Sequence, residues 1–212
     1  QNPENLNRRI NIHNYSTSSQ GWMEWVYERL ALQPGETVLE LGCGTGLLWM
    51  ERTRLLPEGL HLILTDRSEE MLEQTRQNLA PYEKELAARQ ILVEYHVLDA
   101  NTLELPPASY DRIIANHMLY HVERRDACLA AIARALTQDG TFYCSTVGDT
   151  HMEELHQLVI DFDPRIEMPF QNLTGGFHLE NAEPQLLKHF SHVDRQDQDN
   201  DLIVDDPQAI YD

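Results

Sequence analysis

The segment VLELGCGTGLLWM, residues 38 to 50, carries the strongest structural signal in the chain. Its apolar run is interrupted by Glu40 and by three glycines, Gly42, Gly44 and Gly46. A second, largely apolar stretch follows directly over residues 46–56. Apolar runs on both sides of a short loop predict a buried strand followed by a helix. Because glycine lets the backbone turn sharply and approach a ligand closely, the segment predicts a loop that faces a bound molecule.

Strands and amphipathic helices alternate along the next hundred residues. The pattern predicts strands at 37–41, 60–65, 91–98, 110–115 and 141–147, and it predicts helices that begin at Ser68 and span 124–136. Strands that are apolar along nearly their whole length, with helices between them, are typical of a parallel α/β sheet covered on both faces. Residues 192–206 contain no helical stretch, and they predict an antiparallel hairpin at one edge of this sheet.

The charge of the chain limits its partners. Thirty-five acidic residues against 16 basic ones give a formal net charge of −19, a field that repels nucleic-acid phosphates and anionic lipid. No apolar run approaches the roughly 20 residues that span a bilayer. Cys43, Cys128 and Cys144 are odd in number and widely spaced, which indicates reduced thiols. We therefore expect a cytoplasmic protein, a monomer or a homodimer, that binds neither nucleic acid nor membrane.

Two aspartates indicate what the glycine loop binds. Asp66 ends the second predicted strand, about 20 residues after the last glycine, where a carboxylate can accept hydrogen bonds from both hydroxyls of a ribose. Asp99 ends the third strand, where a carboxylate can accept from an adenine amine. Because ligands bind at the carboxyl ends of parallel strands, the three features together predict an adenosine-containing ligand.

The glycine spacing and one charge distinguish between two such ligands. A dinucleotide-binding loop has the spacing GxGxxG with small residues after it, whereas this loop reads GxGxG and is followed by Leu47, Leu48 and Trp49. Glu40 beside the loop would repel a pyrophosphate and would not repel a ligand with ammonium and sulfonium groups. The charges therefore favour S-adenosylmethionine over NAD.

Four segments in order complete a resemblance: ELGCGTG, LTDRSEEML, VLDANTLELPPASYDRIIANHMLYHV and RALTQDGTFYCS. They resemble the successive motifs of class I S-adenosylmethionine-dependent methyltransferases, especially the small-molecule group that includes the ubiquinone/menaquinone-biosynthesis methyltransferases. The resemblance covers about residues 36–147. It implies a Rossmann-like, doubly wound sheet of seven strands, mostly parallel with an antiparallel C-terminal hairpin.

The resemblance also implies roles for individual residues. The loop around the methionine moiety would comprise Glu40, Gly42, Cys43, Gly44 and Gly46. Asp66 would bind the ribose. The adenine would lie among Arg67, Ser68, Met71, Asp99 and Ala100, and the sulfonium beside Asn116 and His117.

The same resemblance divides the single predicted domain of 212 residues. Residues 1–35 would form an N-terminal helical lid, 36–147 the cofactor-binding core and 148–190 a substrate-cap insertion. Residues 191–212 would form the C-terminal hairpin and the start of a helix.

Several residues keep a second interpretation. Glu40 either contacts the ligand or braces the loop from within, and Cys43 packs beneath the loop unless it is a reactive thiol. Tyr15 and Trp22 either pack a helix or cover the cofactor and acceptor, Tyr15 by a cation–π contact with the sulfonium. His117 and His121 are spaced i, i+4, but without an HExxH carboxylate or a third ligand they predict no metal site.

The predicted activity is transfer of a methyl group from S-adenosylmethionine to an oxygen, nitrogen or carbon atom of a small molecule, yielding S-adenosylhomocysteine. The donor is already activated, so the protein supplies positioning and exclusion of water. His117 is the candidate general base for an oxygen or carbon nucleophile. The alternatives are a non-catalytic S-adenosylmethionine-binding protein and, less favoured, a methyltransferase of protein or nucleic acid.

Overall fold

The computed structural model describes residues 12–50, 52–163, 165 and 176–205. The first part of the predicted lid, the middle of the predicted insertion and the predicted helix start at 206–212 lie outside the described residues.

Five strands form one sheet, and all of their pairings are parallel. The strands are β1 (Thr37–Leu41), β2 (His61–Asp66), β3 (Leu92–Val97), β4 (Tyr110–Asn116) and β5 (Leu136–Ser145). Their order in space is β3-β2-β1-β4-β5. The order reverses between β1 and β4, and such a reversal opens a crevice at the carboxyl ends of the strands. The glycine loop leaves β1 at this point.

The predicted C-terminal hairpin, and with it the prediction of seven strands, is wrong for the described residues. Residues 191–205 form no strand, and their one ladder contact is an isolated antiparallel bridge between Leu202 and Ser16. The polar groups of this stretch bond along the stretch itself, as between Gln196 and Asp194, or to the N-terminal segment. The edge of β5 therefore gains no antiparallel partner from them.

The strand β5 is longer than predicted because Gly140 does not break it. The register against β4 shifts between the pairs Tyr110–Leu136 and Arg112–Thr141, which marks a bulge. A Cβ on Gly140 would lie 3.0 Å from the carbonyl oxygen of Tyr110, so the glycine allows the two backbones to approach.

Six described α-helices surround the sheet: α1 (Trp22–Leu30), α2 (Glu69–Leu79), α3 (Glu83–Ala88), α4 (Arg125–Ala135), α5 (Glu153–Phe162) and α6 (Leu179–Leu186). The side chain of Ser68 accepts a hydrogen bond from the Met71 backbone N–H, which confirms its predicted role as the N-cap of α2. The helix predicted over 46–56 is instead described as consecutive turns on either side of residue 51. No helix in the described ranges is long and apolar enough to cross a bilayer.

Both faces of the sheet are buried, as a parallel sheet requires. Leu39 and Ile113 point into one hydrophobic cluster, which includes residues of α4, and their neighbours Val38 and Ile114 point into a second cluster with residues of α1 and α2. This alternation follows from the two-residue period of a strand. The central strands thus hold the glycine loop on a support that is packed from both sides.

Candidate active site

The glycine loop adopts a backbone that only glycine accommodates well. The φ angles of Gly42, Gly44 and Gly46 are +72°, +58° and +77°. A Cβ on Gly46 would lie 2.7 Å from Cγ2 of Thr75, so α2 packs directly on this glycine. The backbone N–H of Cys43 donates to the carbonyl of Thr65 over 2.8 Å. The loop is therefore fixed in shape by the elements around it.

Asp66 is held at the end of β2 by two backbone donors. One carboxylate oxygen accepts from the Gly44 N–H at 3.1 Å, and the other accepts from the Ser68 N–H at 2.9 Å. A carboxylate has about four acceptor positions, so each oxygen retains a lone pair. Asp66 thus has a fixed orientation and remaining capacity to accept hydrogen bonds from two hydroxyls.

Glu40 braces the loop from within and also lines the cavity described below. Its side chain is 3% exposed and accepts a hydrogen bond of 2.6 Å from the indole N–H of Trp49. Burial, and to a lesser extent the charge of Asp66, raises the pKa of Glu40 to about 7, and the bond from Trp49 acts in the opposite direction. The bracing interpretation is therefore realised, and contact with a ligand stays a prediction.

Cys43 lies beneath the loop, with its Sγ 3.8 Å from Oγ1 of Thr75. Burial raises the pKa of the thiol, and the nearby charge of Glu40 adds to this effect. A thiol that stays protonated is a poor nucleophile, which favours a packing role for Cys43.

A short turn at the end of β3 presents Asp99 and Ala100. Asp99 accepts a hydrogen bond of 2.8 Å from the backbone N–H of Asn101. The Asn101 side chain in turn accepts from the backbone N–H groups of Glu123 and Arg124, just before α4. Asn101 thereby fixes this turn to the neighbouring loop, a role that the sequence analysis missed.

At the end of β4, Asn116 and His117 are fixed by the end of β5. The N–H of His117, at a φ of +47°, lies 3.1 Å from Oγ of Ser145, and this hydroxyl donates to Oδ1 of Asn116 over 3.3 Å. Among the described residues, Nδ2 of Asn116 is buried without a hydrogen-bond partner. The centroid of the His117 ring lies 5.0 Å from that of Trp22.

The protonation of His117 limits its chemistry. Burial, with smaller effects from the charges of His151 and His13, lowers the pKa of His117 to about 4. The ring is therefore neutral at pH 7, and it is a weak base there because its conjugate acid is so acidic.

One cavity of about 2420 Å³ joins most of the predicted residues. A single ligand typically occupies roughly 300–1,000 Å³, so this cavity has room for a cofactor and an acceptor together. The predicted residues that line it are Glu40, Gly42, Cys43, Gly44, Asp66, Arg67, Asp99, Ala100, Asn116 and His117, together with Trp22.

Four predicted residues do not line the cavity: Tyr15, Gly46, Ser68 and Met71. Met71 is 1% exposed and belongs to the core, and Gly46 packs on Thr75. The carbonyl of Tyr15 accepts from the backbone N–H of Ile203, which joins the N-terminal segment to the stretch 191–205.

The sequence analysis also missed Thr45 in the glycine loop. Thr45 is 2% exposed and lines the cavity, and its hydroxyl has no hydrogen-bond partner in the described part of the chain. The sequence signal for Thr45 was its position as a hydroxyl residue between two glycines, in GTG. Residues 191–202 line the same cavity, and nothing in their sequence pattern indicated this position.

Comparison with known proteins agrees with this geometry. The family described as "Methyltransferase domain" matches residues 39–144, half of the chain, from β1 to the end of β5. The chain belongs to this family. The resemblance to class I S-adenosylmethionine-dependent methyltransferases is thereby confirmed.

Its relatives in the family differ in what they act on. The chain is 32% identical over 131 residues to a malonyl-[acyl-carrier protein] O-methyltransferase of Bacillus cereus, covering 61% of this chain and 44% of that protein. It is 28% identical over 170 residues to a ubiquinone/menaquinone biosynthesis C-methyltransferase of Vibrio cholerae, covering 78% and 57%. The chain thus spans about half the length of these relatives.

A solved structure shows the same fold. Phosphoethanolamine N-methyltransferase 2 of Haemonchus contortus, in complex with S-adenosylhomocysteine, superposes with a TM-score of 0.57 at 23% identity. The match covers 88% of this chain and 41% of that one. At this identity the likeness establishes the Rossmann-like architecture of the family and says nothing of the acceptor.

Proposed function

We propose that this protein transfers the methyl group of S-adenosylmethionine to a small molecule. The observation that carries the proposal is the meeting of three features of a methyltransferase domain in one cavity: the positive-φ glycine loop after β1, Asp66 after β2 and Asp99 after β3. Relatives of three acceptor chemistries share the domain, so the family membership supports the cofactor more narrowly than the acceptor.

The cofactor would lie along the carboxyl ends of the central strands. Glu40 and the glycine loop would hold the methionine moiety, since a carboxylate complements its ammonium group. Asp66 would accept from the ribose hydroxyls with the lone pairs that Gly44 and Ser68 leave available. Arg67, Asp99 and Ala100 would surround the adenine.

Methyl transfer then needs little further chemistry from the protein. The acceptor atom, the methyl carbon and the sulfur must be nearly collinear, and the bound cofactor supplies an activated methyl group. Asn116 and His117 stand at the end of β4 beside the loop, where they would orient the acceptor. With a pKa of about 4, His117 would act at neutral pH as a hydrogen-bond acceptor more readily than as a general base.

We propose that the acceptor half of the cavity is formed by the predicted lid and cap. Residues of the N-terminal segment, of α5 and of α6 all line the same cavity as the glycine loop. We also propose that the protein is cytoplasmic, because all three cysteines are free thiols. We propose further that it is a monomer or a homodimer.

The first test is calorimetric titration with S-adenosylmethionine, S-adenosylhomocysteine and NAD. We expect micromolar affinity for the two sulfur nucleosides and no heat with NAD. Asp66→Asn should weaken nucleoside binding at least tenfold, because one oxygen of the ribose-binding carboxylate is replaced by an amide.

Asp111→Asn is the matched control at the amino end of β4, the opposite end of the strands from the glycine loop. Asp111 also accepts from a backbone N–H, that of Thr37, and from a hydroxyl, that of Thr137. Its replacement should cost similar stability and leave nucleoside affinity unchanged. If neither nucleoside binds the folded protein, the proposed function is wrong. If both bind but no acceptor is ever methylated, the non-catalytic alternative gains support.

A further inference from the structure

The part of the cavity that we propose holds the acceptor carries many negative charges. We define the tail wall as α6 together with residues 191–205, because residues of both segments line the cavity. Six carboxylates of the tail wall line the cavity: Glu180, Glu183, Asp194, Asp197, Asp199 and Asp201. All six are exposed, so their combined field acts on any charged molecule that approaches the opening.

The two arginines on this side already have hydrogen-bond partners. Arg195 forms a fork with Asp197, with N–O distances of 2.7 and 3.0 Å. Arg29 donates to the Trp25 carbonyl and to the Gln196 side chain. Of the described residues that line the cavity, the remaining arginines, Arg52 and Arg67, lie next to the glycine loop and Asp66. A carboxylate or phosphate acceptor would therefore meet no available cation on the tail wall.

Three histidines, His13, His117 and His151, line the cavity, as do His121 and His192. Burial lowers the pKa of both His13 and His151 below its usual value, and it lowers the pKa of His117 to about 4. Burial therefore disfavours positive charge on these three rings.

An aromatic surface lies beside the carboxylates. The rings of Trp22 and Trp25 are stacked at 5.3 Å, and Trp22 also contacts the His117 ring. The guanidinium of Arg29 lies 3.6 Å over the ring of Trp25, so Trp25 already holds a cation of the chain itself. The side chain of Gln198 donates to the carbonyl of Gln20, so the acidic tail runs directly along the start of α1.

We propose that the methyl acceptor is an organic amine that enters the cavity as its ammonium cation. The tail-wall carboxylates attract it, and it enters the part of the cavity that Trp22 and His117 line. This inference rests on the proposed function and names the substrate class of the same site.

The reaction requires that the amine lose a proton before it attacks. The same desolvation that lowers the pKa of His117 disfavours the ammonium form near the inner end of the cavity, and the proton passes to water. The nitrogen lone pair then forms the N–C bond to the methyl group. The S–C bond breaks with its electron pair on sulfur, which leaves S-adenosylhomocysteine and a methylated ammonium ion.

The test compares three probes of one shape on the protein saturated with S-adenosylhomocysteine: 2-phenylethylamine, 2-phenylethanol and phenylacetate. We expect the amine to bind at least tenfold more tightly than the alcohol, and phenylacetate to bind most weakly. Raising the salt concentration to 0.5 M should reduce the difference in affinity between the amine and the alcohol, since salt screens exposed charges. This salt measurement needs no variant.

A matched pair of triple variants locates the effect. Glu183→Gln/Asp199→Asn/Asp201→Asn should weaken amine binding at least fivefold and leave alcohol binding unchanged. The control variant removes the same number of exposed charges outside the cavity lining: Glu58→Gln/Glu104→Gln/Asp139→Asn. It should change neither the affinity for the amine nor that for the alcohol.

The inference is wrong if the alcohol or phenylacetate binds as tightly as the amine, or if the amine does not bind at 10 mM. It is also wrong if the two triple variants behave alike. Saturation with S-adenosylhomocysteine is verified first by calorimetry. Failure at that step overturns the proposed function, whereas failure with the amine alone overturns only this inference.

Discussion

The glycine loop and residues 191–202 of the tail wall line one cavity, yet different interactions hold them. The loop is fixed by buried contacts: Thr75 packs on Gly46, the Trp49 indole donates to Glu40, and strands on both sides are covered by core residues. Within the tail wall, α6 packs on the core through Leu186, whereas residues 191–205 are held to the N-terminal segment by exposed hydrogen bonds, such as that of 2.6 Å from Ser16 to Asn200.

The comparison teaches how the two halves of the site are specified. A buried contact tolerates little change in shape, so the loop can hold a single cofactor in one geometry. Exposed polar contacts are individually weak, each worth about 1 kcal/mol, and a surface built from them can change its side chains without loss of the fold. We therefore expect the cofactor to be fixed by the core and the acceptor by the wall.

The largest effect should come from Gly46→Ala. The new methyl group would lie 2.7 Å from Cγ2 of Thr75, at a φ of +77° that alanine disfavours. We expect the free energy of unfolding to fall by about 4 kcal/mol, from the combined clash and backbone strain, and nucleoside affinity to fall at least tenfold. Urea unfolding and calorimetry measure the two quantities.

Thr75→Ser is the partner change that separates clash from strain. Serine keeps the hydroxyl, which lies 2.8 Å from the carbonyl oxygen of Gly44, and removes the methyl group that meets the new Cβ. The double variant should be more stable than the sum of the single changes by about 1–2 kcal/mol. Strict additivity would show that α2 does not hold the loop.

The second effect concerns the pH dependence of stability through Glu40. Burial holds the pKa of the folded state at about 7, above the ordinary value of 4.5, so the folded protein binds this proton more tightly. The resulting stabilisation is complete below pH 4.5 and is lost as the pH rises through 7. Glu40→Gln mimics the protonated form. It should match the parent protein near pH 4.5 and exceed its stability by about 3 kcal/mol at pH 8.5.

Urea unfolding of both proteins between pH 4.5 and 8.5 measures this difference. The exposed Glu58→Gln serves as the control, and its stability relative to the parent should not vary in the same way. The contradicting result is a stability difference between Glu40→Gln and the parent that is constant from pH 4.5 to 8.5. That result would show that the folded protein stabilises the Glu40 carboxylate enough to offset its burial.

The smallest effect should come from the contact between the two chain segments. Ser16→Ala/Asn200→Ala removes an exposed hydrogen bond, and we expect less than about 1 kcal/mol of lost stability. The affinity for S-adenosylhomocysteine should change less than threefold, and the preference for the amine probe should decline. A loss of cofactor affinity comparable to that of Gly46→Ala would show that the two halves are not independent.

The side of the cavity around the glycine loop could be predicted because its signals are local. The glycines, Asp66 and Asp99 each follow a short apolar run, and the sequence period of such a run fixes both the strand and its end. The sequence also predicted the N-cap at Ser68, because capping depends on residues three positions apart.

The side of the cavity formed by residues 191–202 could not be predicted because its contacts join distant residues. Ser16 and Asn200 are 184 positions apart, and no local pattern relates them. The alternation of Asp and Gln in the tail suggested an edge strand, whereas its side chains pair with one another and with the N-terminal segment. The prediction of a helix over 46–56 failed for a similar reason. The structure has turns there, and the Trp49 indole donates to Glu40, nine positions earlier.

The bridge between Ser16 and Leu202 has a consequence for the order of assembly during synthesis. Every strand of the sheet and the whole glycine loop have been made once the ribosome has passed Ser145. The bridge must wait for residue 202, and it then closes a loop of nearly the whole described chain, a step that the entropy of loop closure delays further. A nascent chain can therefore assemble the nucleoside pocket first, with the bound nucleoside stabilising the sheet while the opposite wall is still being synthesised.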